Sequence, residues 1–600
     1  MMRELAHRGV DGHRLWVKGC VALGHQHFRT TPEEEGETQP TVVAGGRVQV
    51  LLDGRLENRE ELLAGLQIAD PHPSDATLIG EAYLKWEALF VERLEGPFAL
   101  VVYDAAEHRV LCARDALGER RLFYAMNERV FVAASEPRAV LAFPGVPPDQ
   151  DEASVAEFCA VLGPPPGATY YRFVRQLGPA QLLVVDRGRA RTRKYWQPGQ
   201  SGTVRYRDDR QYAEHFRELL DRSVRCCLRG APVPAVLMSS GLDSTSVAAL
   251  AAQAVPVRAV SWVFDDLREC DERWGIDAVV RKAGLHADQF VADGLWPLAA
   301  GPRAGWDANG PFRNPYWELL ERGYRTARLG ANRVVLNGWF ADELYNGAAG
   351  WLAALLKEGR LVEASRGLWA HGRSLGWRSC LGPVRAAIPG AALARARPAA
   401  PPAWLTAEAA ALLRERGDDG RDGPAGGRAE AVLRARPVAF LDHELSHAHA
   451  TGVELRMPFW NRKLVEFMLA IPSHLLYRRN RYKHIQRDAM RYDLPDVVLQ
   501  PLQKTLLGAL YRRGVLQNKA GWIGRLLIHP GARWRRFVRE DWMWGVLQRL
   551  PDIQDQESIV FWQCMALELW PRKEAPRRSG LAAGISEGVN DVASKIGQGG

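Results

Sequence analysis

Short apolar runs separated by polar turns dominate the first two hundred residues. The runs are VQVLLDG, FALVVYDAAEHRVLCARD, RLFYAMNERVFVAAS and AQLLVVDRGRARTRKYW. Apolar residues alternate or pair within them, which is typical of antiparallel strands in stacked sheets. Segments of helical character lie between the runs at residues 58–67 and 74–94. We therefore predict that residues 1–206 form an α+β unit of stacked antiparallel sheets.

A different alternation starts near residue 207, where single apolar strands are followed by helices. The pattern predicts strand, loop and helix over Val233–Gln253, a strand in VPVRAVSWVFDD, a helix in CDERWGIDAVVRKAGL and a strand at Arg333–Gly338. Such alternation predicts a parallel sheet that binds ligands at the carboxyl ends of its strands. We expect residues 207–600 to be an α/β unit with a helical extension. Its composition predicts a mobile linker at about 382–436 and a disordered tail at about 572–600.

The loop between the first of these strands and its helix consists of small residues and predicts a phosphate site. Backbone N–H groups at a helix N-terminus are unpaired, and the helix dipole makes the position favourable for anions. Asp243 lies among them, which makes sense if a divalent cation separates it from the phosphates. An ordinary strand-to-helix turn is the alternative. The residues predicted to bind phosphate are Ser239, Ser240, Gly241, Leu242, Asp243 and Ser244.

The strand at Arg333–Gly338 runs into a second acidic loop, WFADELYNG. Because neighbouring parallel strands end at the same edge of the sheet, Asp243 and Asp342 are expected close together. Two carboxylates, phosphate oxygens and water suit Mg²⁺, so both residues are predicted to be metal ligands. Asn337 and Gly338, at the end of the strand, are predicted to lie beside the nucleotide. The alternative is an acidic first helical turn that the helix dipole favours.

The segment Gly452–Met490 combines an apolar helix with a basic stretch. An acid such as Glu454 in an apolar setting needs a partner. Lys483 stands among arginines and is poised for anionic phosphates. The informative polar positions of this segment are Glu454, Arg456 and Lys483, and a solvated basic face is the alternative for Lys483.

Composition narrows the class of protein only in part. The chain carries a formal charge of +9 with an isoelectric point near 9.2, which permits an anionic partner without choosing one. Its eight cysteines lack the spacing of zinc sites and fit a reducing cytosol, so a cytoplasmic protein is predicted. The charged N-terminus and the lack of a long apolar run predict no export signal and no integral membrane span.

Residues 1–206 resemble the class II glutamine amidotransferase domain of asparagine synthetases. The resemblance rests on seven segments in a fixed order, namely LAHRGVDG, ALGHQHF, LLDGRLENREEL, SDATLI, RLEGPFALVVYD, RDALGERRLFY and ASEPRAVL. That family uses a cysteine immediately after the initiator methionine, and this chain has Met2 in its place. Cys20 and Cys112 lie in strand-like stretches and are expected to be core thiols.

Three further replacements remove the glutamine chemistry that the resemblance implies. His27 aligns with the glutamine-binding Arg of the family, Asp53 with its oxyanion-hole Asn and Arg55 with its substrate-holding Glu. An aspartate in an oxyanion hole repels the charge that the hole stabilises. Only Gly54 and Asp75 remain, so the domain is expected to be a scaffold without glutaminase activity.

Residues 207–600 resemble the synthetase domain of the same family. Ser239–Ser244 is similar to its SGGxDS pyrophosphate loop, with Ser240 in place of the second Gly. Residues 337–347 resemble its GxGxDExxxG segment and Gly452–Met490 its VExRxPFLD block, which is followed by an essential Lys. The resemblance implies that ATP activates a carboxylate as an acyl-adenylate and that an amine then attacks. It also implies catalytic roles for Glu454, Arg456 and Lys483. Lys483 would stabilise the reacting centre, and Glu454 would orient or assist a base.

The segment after Gly338 also implies substrate contacts, at Trp339, Glu343 and Tyr345. Asparagine synthetases carry Glu at the position of Trp339, and β-lactam synthetases carry Tyr. An indole cannot act as a base. The amine is therefore expected to be handled differently here.

The whole chain resembles the asparagine-synthetase-like cyclases of lasso-peptide biosynthesis. Cys270–Arg273, Asn314–Trp317 and Pro402–Leu405 belong to that likeness. It implies ATP with Mg²⁺, a precursor core peptide as substrate, and a leader peptidase and a leader-recognition protein as partners. A β-lactam-synthetase-like enzyme, an ammonia-dependent asparagine synthetase and a non-catalytic nucleotide-binding scaffold remain open. No nucleic-acid partner is expected, because the amidotransferase-like half and the Glu454 block disfavour a tRNA-modifying enzyme.

Overall fold

A computed structural model describes most of the chain. The described residues are 1–199, 202–301, 308–312, 314–330, 332–346, 348–387, 401–416, 428–429, 432, 438–478, 481–500, 505–518, 521, 523–550, 553 and 555–571. The predicted tail at 572–600 lies outside the described residues.

The first unit is built on antiparallel sheets, as the alternating runs predict. Its strands are β1 His13–Lys18, β2 Val21–Gln26, β3 Thr41–Val43, β4 Val48–Gly54, β5 Phe98–Asp104, β6 Arg109–Arg114, β7 Phe123–Met126, β8 Phe131–Ala134, β9 Arg175–Gln176, β10 Gln181–Asp186 and β11 Arg189–Lys194. Six of them form one sheet in the order β11-β10-β6-β5-β4-β3, three form a second in the order β8-β7-β9, and β1 pairs with β2. All of these pairings are antiparallel.

The helices of this unit are α1 Arg59–Leu66, α2 Asp75–Trp86, α3 Pro137–Leu141 and α4 Glu152–Cys159. Helices α1 and α2 pack on one face of the six-stranded sheet, and the opposite face carries a second apolar cluster that includes Ala99, Cys112 and Leu183. Val50 and Leu52 on β4 pack with Leu78 and Ile79 on α2 in one buried cluster. The predicted helix at 74–94 ends as an α-helix at Trp86 and continues as a 3-10 helix over Glu87–Arg93.

The second unit contains the predicted parallel sheet. Its strands are β12 Ala235–Leu237, β13 Arg258–Val263, β14 His286–Val291, β15 Val334–Leu336 and β16 Glu454–Arg456, in the order β14-β13-β12-β15-β16. Every pairing in this sheet is parallel. The first helices around it are α5 Asp209–Leu228, α6 Leu242–Ala252, α7 Arg273–Ala283, α8 Trp317–Leu329 and α9 Ala341–Leu344. The loops after β12 and β15 therefore open at the same edge.

Further helices form the extension between β15 and the C-terminus, together with the hairpin β17 Tyr477–Arg478 and β18 Arg481–Tyr482. These helices are α10 Trp351–Lys357, α11 Leu361–Leu375, α12 Leu381–Ala387, α13 Ala407–Glu415, α14 Val438–Ala450, α15 Arg462–Ala470, α16 His484–Ala489, α17 Asp496–Leu499, α18 Gly508–Asn518, α19 Gly524–Leu527, α20 Glu540–Arg549 and α21 Asp555–Leu569. No helix in the described ranges is both long and apolar enough to cross a membrane.

The linker predicted at about 382–436 around a short helix is described only in part, and its mobility stays a prediction. Residues 382–387 complete α12, and 401–416 pack against both units rather than crossing the surface. Leu405 and Ala409 are buried, and the Trp404 indole N–H donates to the Cys159 carbonyl at 3.0 Å. Apolar side chains at helical spacing outweigh the Ala, Pro and Gly content on which the linker prediction rests. Its other residues, including 388–400 and 417–427, lie outside the described part.

The two units share a hydrophobic core, which the sequence patterns did not indicate. The buried cluster that contains Phe123 and Phe158 of the first unit also contains Trp534, Phe561 and Trp570 of the last helical region. The C-terminal helices therefore close over the first unit, and the chain folds as two sheets with joined cores.

Candidate active site

The loop Ser239–Ser244 lies at the carboxyl end of β12 and leads into α6, as predicted. Its first three backbone N–H groups are occupied by side chains: Ser239 N–H donates to Ser244 Oγ at 3.1 Å, Ser240 N–H to Glu272 Oε2 at 3.1 Å, and Gly241 N–H to Ser239 Oγ at 3.1 Å. The amides that follow belong to the first turn of α6, where helical N–H groups lack intrahelical partners. An anion is therefore favoured at Leu242, Asp243 and Ser244.

Ser240 stands where the related loop has a second Gly, and the structure shows how its side chain is accommodated. A Cβ placed on Gly275 would lie 2.5 Å from the Ser240 Cβ, which is closer than such atoms approach in proteins. Gly275 is in the first turn of α7, and Glu272 is the residue before that helix. The start of α7 therefore supports the loop both by close packing and by a hydrogen bond. Sequence reasoning missed Glu272 and Gly275, although CDER carries part of the resemblance.

Gly338 brings the loop after β15 into contact with the first loop. A Cβ on it would lie 2.6 Å from the Ser244 backbone nitrogen and 2.8 Å from the Asp243 Cβ. Asn337, just before it, is buried and accepts the Trp339 N–H through Oδ1 at 3.1 Å. The Asn337 Nδ2 has no partner among the described residues. A buried donor of this kind indicates a missing ligand or water, which is the type of contact expected beside a nucleotide.

Lys483 joins the two predicted metal carboxylates. Its Nζ lies 2.5 Å from Asp243 Oδ2 and 2.6 Å from Asp342 Oδ1. The lysine side chain is 8% exposed, that of Asp243 17% and that of Asp342 51%, so the group is open to solvent on the Asp342 side. Lys483 adopts the left-handed conformation, with φ of 58°, at the residue between β18 and α16. The three residues that the sequence assigns to metal and catalysis therefore meet at one point.

Gln486, which sequence reasoning missed, hydrogen-bonds Asp243 of this group and Tyr345 beside it. Its Nε2 donates to Asp243 Oδ1 at 3.2 Å and to Ser246 Oγ at 3.2 Å. Its Oε1 accepts the Tyr345 hydroxyl at 3.0 Å, and the Tyr345 ring centre lies 5.6 Å from Lys483 Nζ. The sequence does carry a sign of this role. Gln486 is a polar residue three positions after Lys483, and residues at that spacing along a helix share one face.

The placement of the predicted pocket residues corrects one expectation. Tyr345 is fully buried, with its hydroxyl bound to Gln486, so it supports Lys483 rather than lining a substrate pocket. Trp339 is partly buried against the core of the second unit. Glu343 is partly exposed, and burial together with the neighbouring Asp342 raises the pKa of its carboxyl. Trp339 and Glu343 remain predicted substrate contacts.

The donor set fits a magnesium ion that arrives with a nucleotide. One ammonium touches both Asp243 and Asp342, so a single cation placed between these carboxylates can reach both. No cluster of three His, Cys, Asp or Glu side chains suited to a metal ion occurs in the part of the chain that the structure describes. Mg²⁺ accepts few protein carboxylates when phosphate oxygens and water complete its octahedron. A resident metal held by protein ligands alone does not match this geometry.

Glu454 and Arg456 lie apart from this group, in a buried ion cluster between the two units. Glu454 pairs with Val334 at the start of β15, whereas Asn337 and Gly338 follow the end of that strand. Its carboxylate contacts Arg120 of the first unit, Arg55 at 3.4 Å and Arg456 at 2.8 Å. Burial opposes its ionisation, but Arg456, Arg120 and Arg55 outweigh that effect and hold the pKa of Glu454 well below its usual range.

Arg456 extends the same cluster through backbone contacts. It donates to the carbonyls of Arg229 at 2.6 Å, Cys227 at 2.8 Å and Thr30 at 3.2 Å. The catalytic roles predicted for Glu454 and Arg456 therefore stay predictions, and their observed contacts join the units.

Residues at positions that the family resemblance assigns to glutamine chemistry contact other side chains of the first unit. Asp53 contacts Arg8 at 2.7 Å and Arg120 at 3.5 Å. Burial raises the pKa of Asp53, but these two arginines prevail and lower it, so the carboxylate is charged. The Met2 side chain packs against Gly24 on β2, where it leaves no room for a Cβ. Cys112 is buried, which raises its thiol pKa to about 12, whereas Cys20 is exposed, unlike the core thiol that the sequence predicts.

Two families match the chain, one for each unit. A glutamine amidotransferase domain matches residues 1–196. Asparagine synthase matches residues 215–572. A solved structure of glutamine phosphoribosylpyrophosphate amidotransferase from B. subtilis, complexed with ADP and GMP, covers 50% of this chain and 79% of its own. Its 16% identity and TM-score of 0.25 support no inference on fold or function.

Curated relatives match parts of the chain at low identity. Asparagine synthetase [glutamine-hydrolyzing] 3 of Bacillus subtilis (strain 168) is 28% identical over 42% of this chain and 42% of its own length. A putative asparagine synthetase [glutamine-hydrolyzing] of Mycobacterium bovis is 28% identical over 57% of this chain and 55% of its own. Amidase chry2 of Gibberella zeae is 27% identical over 41% of this chain and 37% of its own. The matches thus span about half of these relatives or less.

Proposed function

Because the chain belongs to the asparagine synthase family, we propose that it is an ATP-dependent enzyme that forms an amide bond. In the first step a carboxylate oxygen attacks the α-phosphorus of ATP, which gives an acyl-adenylate and releases pyrophosphate. In the second step an amine attacks the acyl carbon, loses a proton and expels AMP. The observation that carries the proposal is the contact of Lys483 with Asp243 and Asp342 beside the helix N-terminus of α6.

The residues of this site have different roles in the adenylation step. The free amides at Leu242–Ser244 and the Ser239 and Ser244 hydroxyls hold pyrophosphate oxygens, and the unpartnered Asn337 Nδ2 donates to the nucleotide. Asp243 and Asp342 hold Mg²⁺, which offsets phosphate charge while it is bound. Lys483 supplies positive charge to the reacting centre, where such partners are worth most. Gln486 fixes Asp243 and thereby the position of the cation.

The amine does not come from glutamine in this proposal. The nucleophile position carries Met2, and Asp53 keeps a charged carboxylate where an oxyanion would develop. The Arg120, Arg55 and Glu454 cluster also occupies space between the two units. An amine that arrives with the substrate satisfies these observations without a second active site.

We propose that the substrate is a lasso precursor peptide whose N-terminal amine attacks an activated Asp or Glu side chain of the same peptide. This is supported by Trp339 at the position where asparagine synthetases carry an acid, and by the ion pair of Arg8 with Asp53, which stands at the position of the family's oxyanion-hole Asn. The product is a macrolactam ring, lighter than the linear peptide by one water. A leader peptidase and a leader-recognition protein prepare the peptide, and the enzyme itself is cytoplasmic.

The names of the curated relatives favour a second candidate, an asparagine synthetase that uses free ammonia. Under that proposal aspartate replaces the peptide, and Trp339 contacts a small substrate. A β-lactam-synthetase-like reaction and a nucleotide-binding scaffold without turnover are distinguished by the same measurements.

Purified protein, ATP, Mg²⁺ and a leaderless peptide from a neighbouring short reading frame test the proposal. We expect loss of one water from the peptide by mass spectrometry, with AMP and pyrophosphate as co-products. A peptide whose acceptor Asp or Glu is replaced by Ala should give no AMP, whereas an N-acetylated peptide should give AMP without ring closure. Asparagine formed from aspartate and ammonia, with no dehydration of any peptide, contradicts the cyclase and supports the second candidate. ADP as product contradicts both.

A further inference from the structure

Exposed apolar side chains are concentrated on the helices that follow the active-site loop. Eight of the 28 large apolar side chains that are exposed in the described ranges lie between Leu356 and Val384. Trp377 is 62% exposed, Leu375 58% and Trp369 55%. Packing does not account for them, because exposure at these levels leaves most of each side chain in water. This segment, α11 to α12, is called the Trp–Arg face below.

Arginines are interleaved with these side chains along one side of α11. Val362, Arg366, Trp369 and Arg373 follow each other at spacings of four, three and four residues, which places them on one helix face. The Arg373 guanidinium lies 5.2 Å from the centre of the Trp369 ring. Trp377 packs beside Gly372, next to that stripe.

The net charge of this face is positive. Residues 356–387 contain six lysines and arginines and two glutamates. Both glutamates are engaged, since Glu358 contacts Arg360 at 3.6 Å and Glu363 contacts Arg360 at 2.7 Å. The exposed arginines Arg366, Arg373, Arg378 and Arg385 form no ion pair with the described carboxylates. The face therefore complements an extended negative surface rather than a mixed one.

We propose that the Trp–Arg face docks on the surface of an anionic phospholipid bilayer. Tryptophan and arginine both lie at the headgroup level of a membrane, where the indole is partly buried and the guanidinium contacts phosphate. Protein interfaces are also enriched in aromatic residues and arginine, so an acidic protein is the competing occupant of this face. The lipid surface is preferred because exposed indole and aliphatic side chains lie beside exposed arginines along one stripe, which suits a headgroup layer where apolar groups and phosphates meet.

Peripheral docking agrees with the rest of the chain. No helix of the described ranges is long and apolar enough to span a bilayer. A few aromatic side chains and four arginines give reversible binding that salt weakens. The enzyme would then release or receive its substrate beside a membrane while the active site stays in water.

Flotation of the full-length protein with vesicles tests the proposal independently of catalysis. We expect binding to vesicles of phosphatidylcholine and phosphatidylglycerol in equal parts, little binding to pure phosphatidylcholine, and release at high salt. Arg366→Gln with Arg373→Gln should weaken partition about 30-fold, at roughly fivefold for each arginine. Trp369→Ala alone should weaken it as well, without relying on Trp377, which packs against Gly372.

Matched controls come from exposed residues of the first unit. Arg189→Gln with Arg191→Gln removes two exposed arginines of β11, and Leu15→Ala with Val17→Ala removes two exposed apolar residues of β1. Both controls should bind like the wild type, and thermal unfolding of every variant checks its fold. Absence of binding to anionic vesicles at low salt overturns the proposal, as does equal loss in the controls. A poly-glutamate peptide that binds with the same variant dependence, while vesicles do not, overturns it in favour of an acidic protein partner.

Discussion

A Cβ placed on Gly338 would lie 2.8 Å from the Cβ of Asp243, so the loops after β15 and β12 touch through a residue without a side chain. Gly338→Ala should push the loops apart and move Asp243 relative to Asp342. We expect the variant to fold and to lose at least tenfold in ATP-to-AMP turnover, because sub-ångström displacement of reacting groups is costly. Gly294→Ala is the control, since a Cβ there meets nothing within 4 Å. Equal turnover in both variants contradicts the role of Gly338.

The cation site is tested by Asp243→Asn and Asp342→Asn. Each change removes a charge that the proposal assigns to Mg²⁺, and AMP formation should fall by about 10²-fold or more. Lys483→Gln should suppress product to a similar extent. Asp266→Asn, an exposed aspartate beyond the neighbouring strand β13, should leave turnover unchanged. Near-normal turnover in both site variants would show that the metal assignment is wrong.

Glutamine should not be a substrate. We expect no glutamate above background from protein, ATP and glutamine, because the nucleophile is missing and the Asp53 carboxylate is held charged by Arg8 and Arg120. Cys112→Ser should change nothing in this measurement, since burial keeps its thiol pKa at about 12. Glutamate release that disappears on substitution of Cys20 or Cys112 would refute the scaffold assignment.

Glu454→Gln distinguishes a joining role from a chemical one. Its carboxylate neutralises arginines of both units, so the substitution leaves buried guanidinium groups uncompensated and should lower the free energy of unfolding by about 3 kcal/mol. Urea unfolding measures this, with the exposed Glu107→Gln as control. If stability is unchanged while AMP forms and ring closure fails, Glu454 assists the amine as the sequence predicts.

Glu444 makes stability depend on pH. Burial raises its pKa to about 7, against hydrogen bonds from Asn314 and Tyr324 that lower it. The folded protein therefore holds this proton more tightly than the unfolded chain. The resulting stabilisation is complete below the ordinary value of 4.5 and is lost as the pH rises to about 7.

Glu444→Gln should remove this dependence. At pH 8 the variant should exceed the wild type by about 3 kcal/mol, and near pH 4.5 the difference should vanish. Urea unfolding at several pH values measures it, with the exposed Glu214→Gln as a control that changes stability little. If the free energy of unfolding of Glu444→Gln changed with pH as much as that of the wild type, Glu444 would not be the source of the pH dependence.

Local patterns predicted both sheets and the loops at their edges, because strand alternation and strand–helix alternation are encoded within a few residues. The meeting of Lys483 with Asp243 and Asp342 followed from the same edge rule and a family resemblance. The partners of Glu454 were not predictable, since Arg55 and Arg120 are hundreds of residues away and belong to the other unit. The hydrogen bond from the Tyr345 hydroxyl to Gln486 was not predictable either, because the two residues are 141 positions apart.

The amino-acid composition of the segment around Leu405 did not indicate that some of its side chains are buried. The segment around Leu405 is rich in Ala and Pro, yet Leu405 and Ala409 are buried in the joint core. A segment of low hydrophobicity can still pack when another part of the chain offers an apolar surface. Here the C-terminal helices supply that surface.

The contact between Ser240 and Gly275 limits which pairs of residues the two positions can hold. A Cβ at residue 275 would lie 2.5 Å from that of Ser240, so side chains cannot stand at both positions without a shift of the loop or of α7. The two positions are therefore expected to covary among homologous sequences, with a side chain at 275 found beside Gly at 240.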